Sequence, residues 1–87
     1  MADVDTKEEE KHLIERAKTE ESAFAELYEF YLPKIFAYVT RRINDRDEAE
    51  DLVSNIFLRV VENIKGFNPA KSSFKTWIYT IATNMMI

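Results

Sequence analysis

The sequence contains no cysteine and a single glycine, Gly66. Without cysteine the chain has no disulfide, no thiolate zinc site and no thiol nucleophile, and this composition is typical of a reducing compartment. One glycine is too few for the phosphate-binding loops of the Walker and Rossmann types, in which several glycines let the backbone approach a phosphate. Nucleotide-dependent enzymes are therefore disfavoured.

Long apolar runs are also missing. No stretch approaches the roughly 18 apolar residues of a membrane-spanning helix. The first ten residues are rich in acids, whereas a signal peptide begins with basic residues and continues with apolar ones. We therefore expect a cytoplasmic protein.

The length of 87 residues, with 46% hydrophobic and 32% charged side chains, predicts one small folded domain. We interpret residues 1–87 as that single domain, with residues 1–6 as a flexible tail. The sequence stops at Asn84-Met85-Met86-Ile87, inside an apolar helical stripe and without a C-capping glycine. This ending indicates a domain excised from a longer protein.

The net charge of −4 conceals a gradient along the chain. Residues 1–30 carry ten acids and four bases, whereas residues 65–87 carry three lysines and no acid. The aromatic residues among these lysines are Phe67, Phe74, Trp77 and Tyr79. Such a segment is either a solvated face or a surface for single-stranded nucleic acid, where lysines meet phosphates and rings stack on bases.

Apolar residues recur at helical spacing throughout the chain. A capping box of Thr6 and Glu9 predicts a first helix over residues 7–19. A second helix is predicted to follow Ser22 as its N-cap, and Pro33 is expected to bend this helix without ending it. The expected inner face of the second helix is Phe24, Leu27, Tyr28, Tyr31, Ile35, Tyr38, Val39 and Ile43.

Two more helices follow in the sequence. Asp45 as N-cap, with Glu48 three positions later, predicts a third helix that runs to about residue 65. Pro69 predicts a loop, and the last helix is expected to begin at residue 72 or 73. Because no strand-like run is present, the fold is predicted to be all-α, a compact bundle of four helices.

Side-chain catalysis finds little support. His12, the only histidine, lies in an acidic amphipathic helix, which is more typical of a surface residue than of a catalytic triad. The acidic clusters around Glu8 and Asp45 lack the spacing of a calcium loop and are explained as helix caps and solvated faces. We therefore expect no enzyme activity, no catalytic residue, no cofactor and no metal site.

Three motifs carry a resemblance to a known family: Ala49-Glu50-Asp51-Leu52-Val53, Phe67-Asn68-Pro69 and Phe74-Lys75-Thr76-Trp77-Ile78. In this order and spacing, the chain from about residue 10 to residue 87 resembles the second conserved region of bacterial RNA polymerase sigma factors of the extracytoplasmic-function type. The resemblance implies a helical domain, region 2, of a two-domain transcription initiation factor. The C-terminal region 4 domain, which reads the minus-thirty-five promoter element in that family, would then be absent from this chain.

The resemblance implies two binding surfaces. One side of the third helix would bind the clamp helices of the beta-prime subunit of core RNA polymerase, and the residues assigned to it are Asp51, Ser54, Asn55, Leu58 and Arg59. The loop and the last helix would recognise the minus-ten promoter element and capture an unstacked base of its non-template strand as it opens. The residues assigned to DNA are Asn68, Lys71, Ser72, Ser73, Lys75, Thr76, Tyr79 and Thr83. An anti-sigma factor is a further candidate partner.

The sequence departs from the family pattern at two places. Ser54-Asn55 stands where the family usually has glutamine followed by an acid, which shortens one side chain and removes a charge. Thr80 and Ile81 stand where housekeeping sigma factors carry paired tryptophans that wedge the duplex open, an absence common in this subfamily. The residues by themselves also leave open an alternative function, a helical protein-interaction module that does not bind DNA.

Overall fold

The structure, a computed structural model, describes residues 7–87. Its four α-helices are α1 Lys7–Ala17, α2 Glu21–Thr40, α3 Arg46–Asn63 and α4 Phe74–Met85. No strand occurs within these residues, so the prediction of an all-α bundle of four helices is confirmed. None of the helices in this part of the chain combines the length and the apolar character needed to cross a bilayer. The predicted tail, residues 1–6, and the predicted cap Thr6 lie outside the described residues.

One apolar edge of α1 packs against α2 and buries Leu13, Ile14 and Ala17. A polar contact joins the same two helices, because the Tyr31 hydroxyl donates a hydrogen bond of 2.8 Å to the Glu10 carboxylate. Burial raises the pKa of Tyr31 well above its ordinary value, and the bonded carboxylate of Glu10 raises this pKa further. The phenol therefore stays protonated at neutral pH and keeps its role as a donor.

The long helix α2 runs through the centre of the bundle. It continues through Pro33 without interruption, as the sequence predicts. Because proline has no backbone N–H, the carbonyl of Glu29 loses the hydrogen bond that residue 33 would otherwise donate to it. The buried residues of α2 recur every four positions: Ala23, Leu27, Tyr31, Ile35 and Val39.

Two details of α2 differ from the prediction. Ser22 is not the N-cap, because the helix begins at Glu21 and Glu20 occupies the cap in an extended conformation without a side-chain hydrogen bond. The Glu20 carboxylate instead forms an ion pair with Arg16 at 3.2 Å. The backbone N–H of Glu20 also donates a hydrogen bond to the Arg16 carbonyl, so the turn that follows α1 ends at Glu20. Tyr28 is 38% exposed and lies beside the buried stripe, not in it.

Helix α3 begins as predicted. The side chain of Asp45 accepts a hydrogen bond of 3.0 Å from the backbone N–H of Glu48. The α-helix ends at Asn63, slightly before the predicted end, and a 3-10 turn over Ile64–Gly66 extends it. Gly66 does not have a positive φ, so the turn is not the left-handed glycine cap that often ends a helix.

Helix α4 closes the bundle against α3 and α2. Its inner residues Phe74, Ile78 and Ala82 are buried. Phe74 is 1% exposed, and its ring contacts the rings of Tyr31, Phe67 and Trp77 at centroid distances of 5.3, 5.4 and 5.4 Å. This aromatic cluster holds the N-terminal end of α4 in place, and with it the loop that precedes α4.

Candidate nucleic-acid and partner surfaces

All five residues predicted to bind polymerase are exposed on α3. Most of them are separated from another of the five by three or four residues, and this spacing places side chains on a common helix face. The other side of α3 supplies the buried residues that pack within the bundle. The five residues on this outer face of α3 are Asp51, Ser54, Asn55, Leu58 and Arg59.

The outer face of α3 combines charge with exposed apolar surface. Asp51 forms no ion pair with any residue in the described part of the chain. Leu58 is 59% exposed, and Val61, three residues later, is 51% exposed. The Arg59 guanidinium lies 3.8 Å from the Glu62 carboxylate along the helix. The exposed aliphatic side chains of α3 offer apolar area that a protein partner can bury.

A shallow, open strip of surface runs along the solvent side of α4. Four of the eight residues predicted to bind DNA line it: Lys75, Thr76, Tyr79 and Thr83. Thr80 and Asn84 complete the lining, so hydroxyl, amide and ammonium groups surround one tyrosine ring. Lysine meets phosphates, and a ring offers a stacking surface for a base. We call this surface the α4 groove.

The start of α4 is fixed by hydroxyl groups. The Ser73 hydroxyl oxygen accepts a hydrogen bond of 3.1 Å from the backbone N–H of Thr76, which makes Ser73 the N-cap. The same hydroxyl donates to the Thr76 hydroxyl at 3.0 Å, and the Thr80 hydroxyl donates to the Thr76 carbonyl at 2.7 Å. Ser73 therefore has a structural function as the N-cap of α4, in addition to its predicted role in DNA binding.

The other predicted DNA residues, Asn68, Lys71, Ser72 and Ser73, lie in the loop before α4. This loop is tied down at two points. The Asn68 side-chain oxygen accepts from the N–H of Ala70 at 2.9 Å, a local turn that presets the backbone. The ammonium group of Lys18, on the chain just after α1, donates to the Phe67 carbonyl at 3.1 Å. Asn68 and Lys71 remain exposed on the loop.

The aromatic residues of the basic segment do not form one stacking surface. Phe67 and Phe74 are buried, at 4% and 1% exposure, and Trp77 is partly buried against both rings. Tyr79 is the member of the four that lines the α4 groove. Phe67, Phe74 and Trp77 therefore belong to the core and its edge, and Tyr79, which also packs against the core, is the ring that the α4 groove leaves accessible.

A second groove lies between α2 and α4 and was not predicted from the sequence. Lys75 and Tyr79 of α4 line it together with Lys34, Tyr38 and Arg41 of α2. The α2 residues recur at four and three positions, which places them on one side of that helix. This periodicity was visible in the sequence, but nothing local indicated that this side faces α4. We call this surface the α2/α4 groove.

Comparison with known proteins identifies the domain. Residues 27–87 match the family described as Sigma-70 region 2. The chain belongs to this family. The predicted resemblance is therefore confirmed for this region 2 domain, and both candidate surfaces lie within the matched residues.

Individual relatives point the same way. The ECF RNA polymerase sigma factor SigW of Bacillus subtilis is 35% identical over 77 residues, which cover 88% of this chain and 41% of SigW. The ECF RNA polymerase sigma factor BldN of Streptomyces coelicolor is 37% identical over 75 residues, which cover 85% of this chain and 28% of BldN. The sigma region 2 domain thus spans less than half of the curated relatives it matches. No solved structure gives a significant match.

Proposed function

We propose that this sigma region 2 domain binds core RNA polymerase through the outer face of α3 and reads the minus-ten promoter element through the α4 groove and the preceding loop. The observation that carries the proposal is the match of residues 27–87 to Sigma-70 region 2. Every residue assigned to either partner falls within that range. The roles of the individual residues belong to the proposal.

The outer face of α3 is the surface for polymerase. Its partner would be the clamp helices of the beta-prime subunit, with Asp51 meeting a cationic or hydrogen-bond-donating group. Leu58 is 59% exposed, so it can be buried by the partner and contribute apolar area. Ser54 and Asn55 have no charge to add, which leaves Asp51 as the anion among the five residues.

The α4 groove and its loop are the surface for DNA. Unstacking one base costs a few kcal/mol, and stacking it on a ring returns about 1–3 kcal/mol, so binding energy can drive opening without ATP. Ile81 is half-buried against the core, and Thr80 carries no ring, so neither can act as the aromatic wedge of housekeeping sigma factors. We therefore expect opening to depend on a well-matched promoter.

Asp51→Ala is expected to weaken binding to core RNA polymerase roughly ten- to hundredfold, because a hydrogen bond to a charged group contributes about 1.5–3 kcal/mol. Fluorescence anisotropy of the labelled chain titrated with polymerase measures the change. Glu8→Ala is the matched control, since Glu8 is an exposed acid in the first turn of α1. Equal affinity of wild type and Asp51→Ala would remove Asp51 from the interface. No binding by the folded wild-type chain would favour the protein-interaction alternative.

The variant with Lys71→Ala and Lys75→Ala is expected to bind single-stranded DNA more weakly. It should also flatten the plot of log affinity against log salt by about 0.7 for each lost phosphate contact. Both lysines are exposed, so their removal leaves the core intact. A salt titration with labelled oligothymidine gives the slope. A slope identical to that of wild type would exclude both lysines from the DNA surface.

A further inference from the structure

The α2/α4 groove contains two cations, Lys34 and Arg41, that no assigned role explains. Three basic residues line it, Lys34, Arg41 and Lys75, and none of its lining residues is acidic. None of the three forms an ion pair within residues 7–87. Tyr31 also lines the groove, and its hydroxyl donates a hydrogen bond to the carboxylate of Glu10. The groove therefore concentrates positive charge on a chain whose net charge is −4.

The α2/α4 groove borders the α4 groove. Lys75 and Tyr79 line both of them. The two helices are also tied together at this point, because the Tyr38 and Tyr79 rings meet edge to face at 4.9 Å and the Tyr38 hydroxyl is 2.7 Å from the Thr83 hydroxyl. A strand that follows α4 can thus pass onto α2 without leaving the basic surface.

The spacing of the α2 cations suits separate phosphates. Lys34 and Arg41 are seven residues apart on a helix, which corresponds to about 10 Å along its axis. Successive phosphates of one strand in B-form DNA rise by about 3.4 Å, so the two cations would meet different phosphates. Tyr38 and Tyr79 line the same groove, where their rings pack edge to face on each other and the Arg42 guanidinium lies 4.0 Å from the centre of the Tyr38 ring. Cations that track a backbone beside aromatic rings are the usual elements of single-strand binding.

We propose that the α2/α4 groove, through Lys34, Arg41 and Lys75, binds the phosphate backbone of single-stranded DNA and extends the DNA surface from α4 onto α2. This inference rests on the proposed function. It adds two residues of α2 to the predicted DNA surface, whose other residues all lie in the loop and α4. Lys34 and Arg41 supply attraction to phosphate without sequence preference, whereas base selection stays with the loop and the α4 groove.

The test is a salt titration of binding to fluorescein-labelled oligothymidine, with the whole chain and a variant carrying Lys34→Ala and Arg41→Ala. Loss of two phosphate contacts should flatten the slope of log affinity against log salt by about 1.4. The control carries Lys11→Ala and Arg46→Ala, which removes the same charge from exposed positions that line neither groove and lie outside the basic segment. The control should keep the wild-type slope. Circular dichroism verifies that all variants are folded.

The outcomes separate the two proposals. A wild-type slope for the α2 variant, or an equal flattening in the control, would overturn the role of the α2/α4 groove. If the Lys71→Ala/Lys75→Ala variant flattened the slope and the Lys34→Ala/Arg41→Ala variant did not, the role of the α2/α4 groove would be overturned. The proposed function would still stand. Equal affinity for oligothymidine and for a duplex of the same length would contradict the single-strand preference. Absence of any oligothymidine binding would overturn the groove proposal, while the polymerase titration with Asp51→Ala would still decide the proposed function.

Discussion

Replacing Phe74 with alanine is expected to lower the free energy of unfolding by about 3–5 kcal/mol, the range for truncating a buried phenylalanine. Phe74 is 1% exposed and contacts three other rings, so its removal leaves a cavity that several elements line. A domain of this size has a total stability of about 4–13 kcal/mol. The loss is therefore a large share of the total stability, and it leaves the variant unfolded if the wild-type stability lies at the low end of this range.

Urea denaturation followed by circular dichroism measures the loss for Phe74→Ala. Trp77, the single tryptophan, contacts Phe74, so its fluorescence reports on the same cluster. Tyr28→Ala is the control, because Tyr28 is a similar ring that is 38% exposed and contacts Phe57. We expect it to cost less than half as much. Similar losses in both variants would mean that the cluster around Phe74 is not the main support of α4.

Replacing Pro33 with alanine is expected to raise the free energy of unfolding by about 2 kcal/mol. Proline in a helix interior is about 3 kcal/mol less favourable than alanine, because it lacks the N–H and its ring clashes with the preceding turn. About 0.4–1 kcal/mol of this gain is offset, since proline also restricts the unfolded chain. Pro33 is exposed in the middle of α2, so alanine creates no cavity there.

Pro33→Gly separates the effect of restoring the backbone N–H from the effect of the higher helix propensity of alanine. Glycine restores the N–H that bonds the Glu29 carbonyl, but it is about 1 kcal/mol less favourable than alanine in a helix. We therefore expect Pro33→Gly to be less stable than Pro33→Ala by about that amount in urea denaturation. If Pro33→Ala were less stable than wild type, proline at this position would support the packing of α2 in a way that outweighs its cost to the helix.

Local signals in the sequence predicted local structure well. The Asp45 cap of α3 and the Ser73 cap of α4 both involve residues three positions apart, so the side chain and the N–H that it binds are close as soon as the first turn forms. Ser22 shows the limit of this reasoning. It is a good capping residue by type, but the short turn that ends α1 brings Glu20 to the cap position instead.

Contacts between helices could not be predicted in the same way. The outer face of α3 followed from periodicity, because whatever is not packed inward must face solvent. The α2/α4 groove depends on which side of α2 meets α4, and this is decided by Tyr38, Tyr79 and Thr83 across long stretches of sequence. Phe67 lies next to the loop that Pro69 predicts, but only the packed structure reveals that its ring is buried.

The hydrogen bond from Lys18 to the Phe67 carbonyl has a consequence for the order of folding. Its two residues are 49 positions apart in the sequence, and both α2 and α3 lie between them. Closing a chain segment of that length has an entropic cost that local contacts do not have, so such a contact forms after the helices between its ends have collapsed together. The loop proposed to read promoter DNA therefore reaches its final shape late, once the rest of the bundle has assembled.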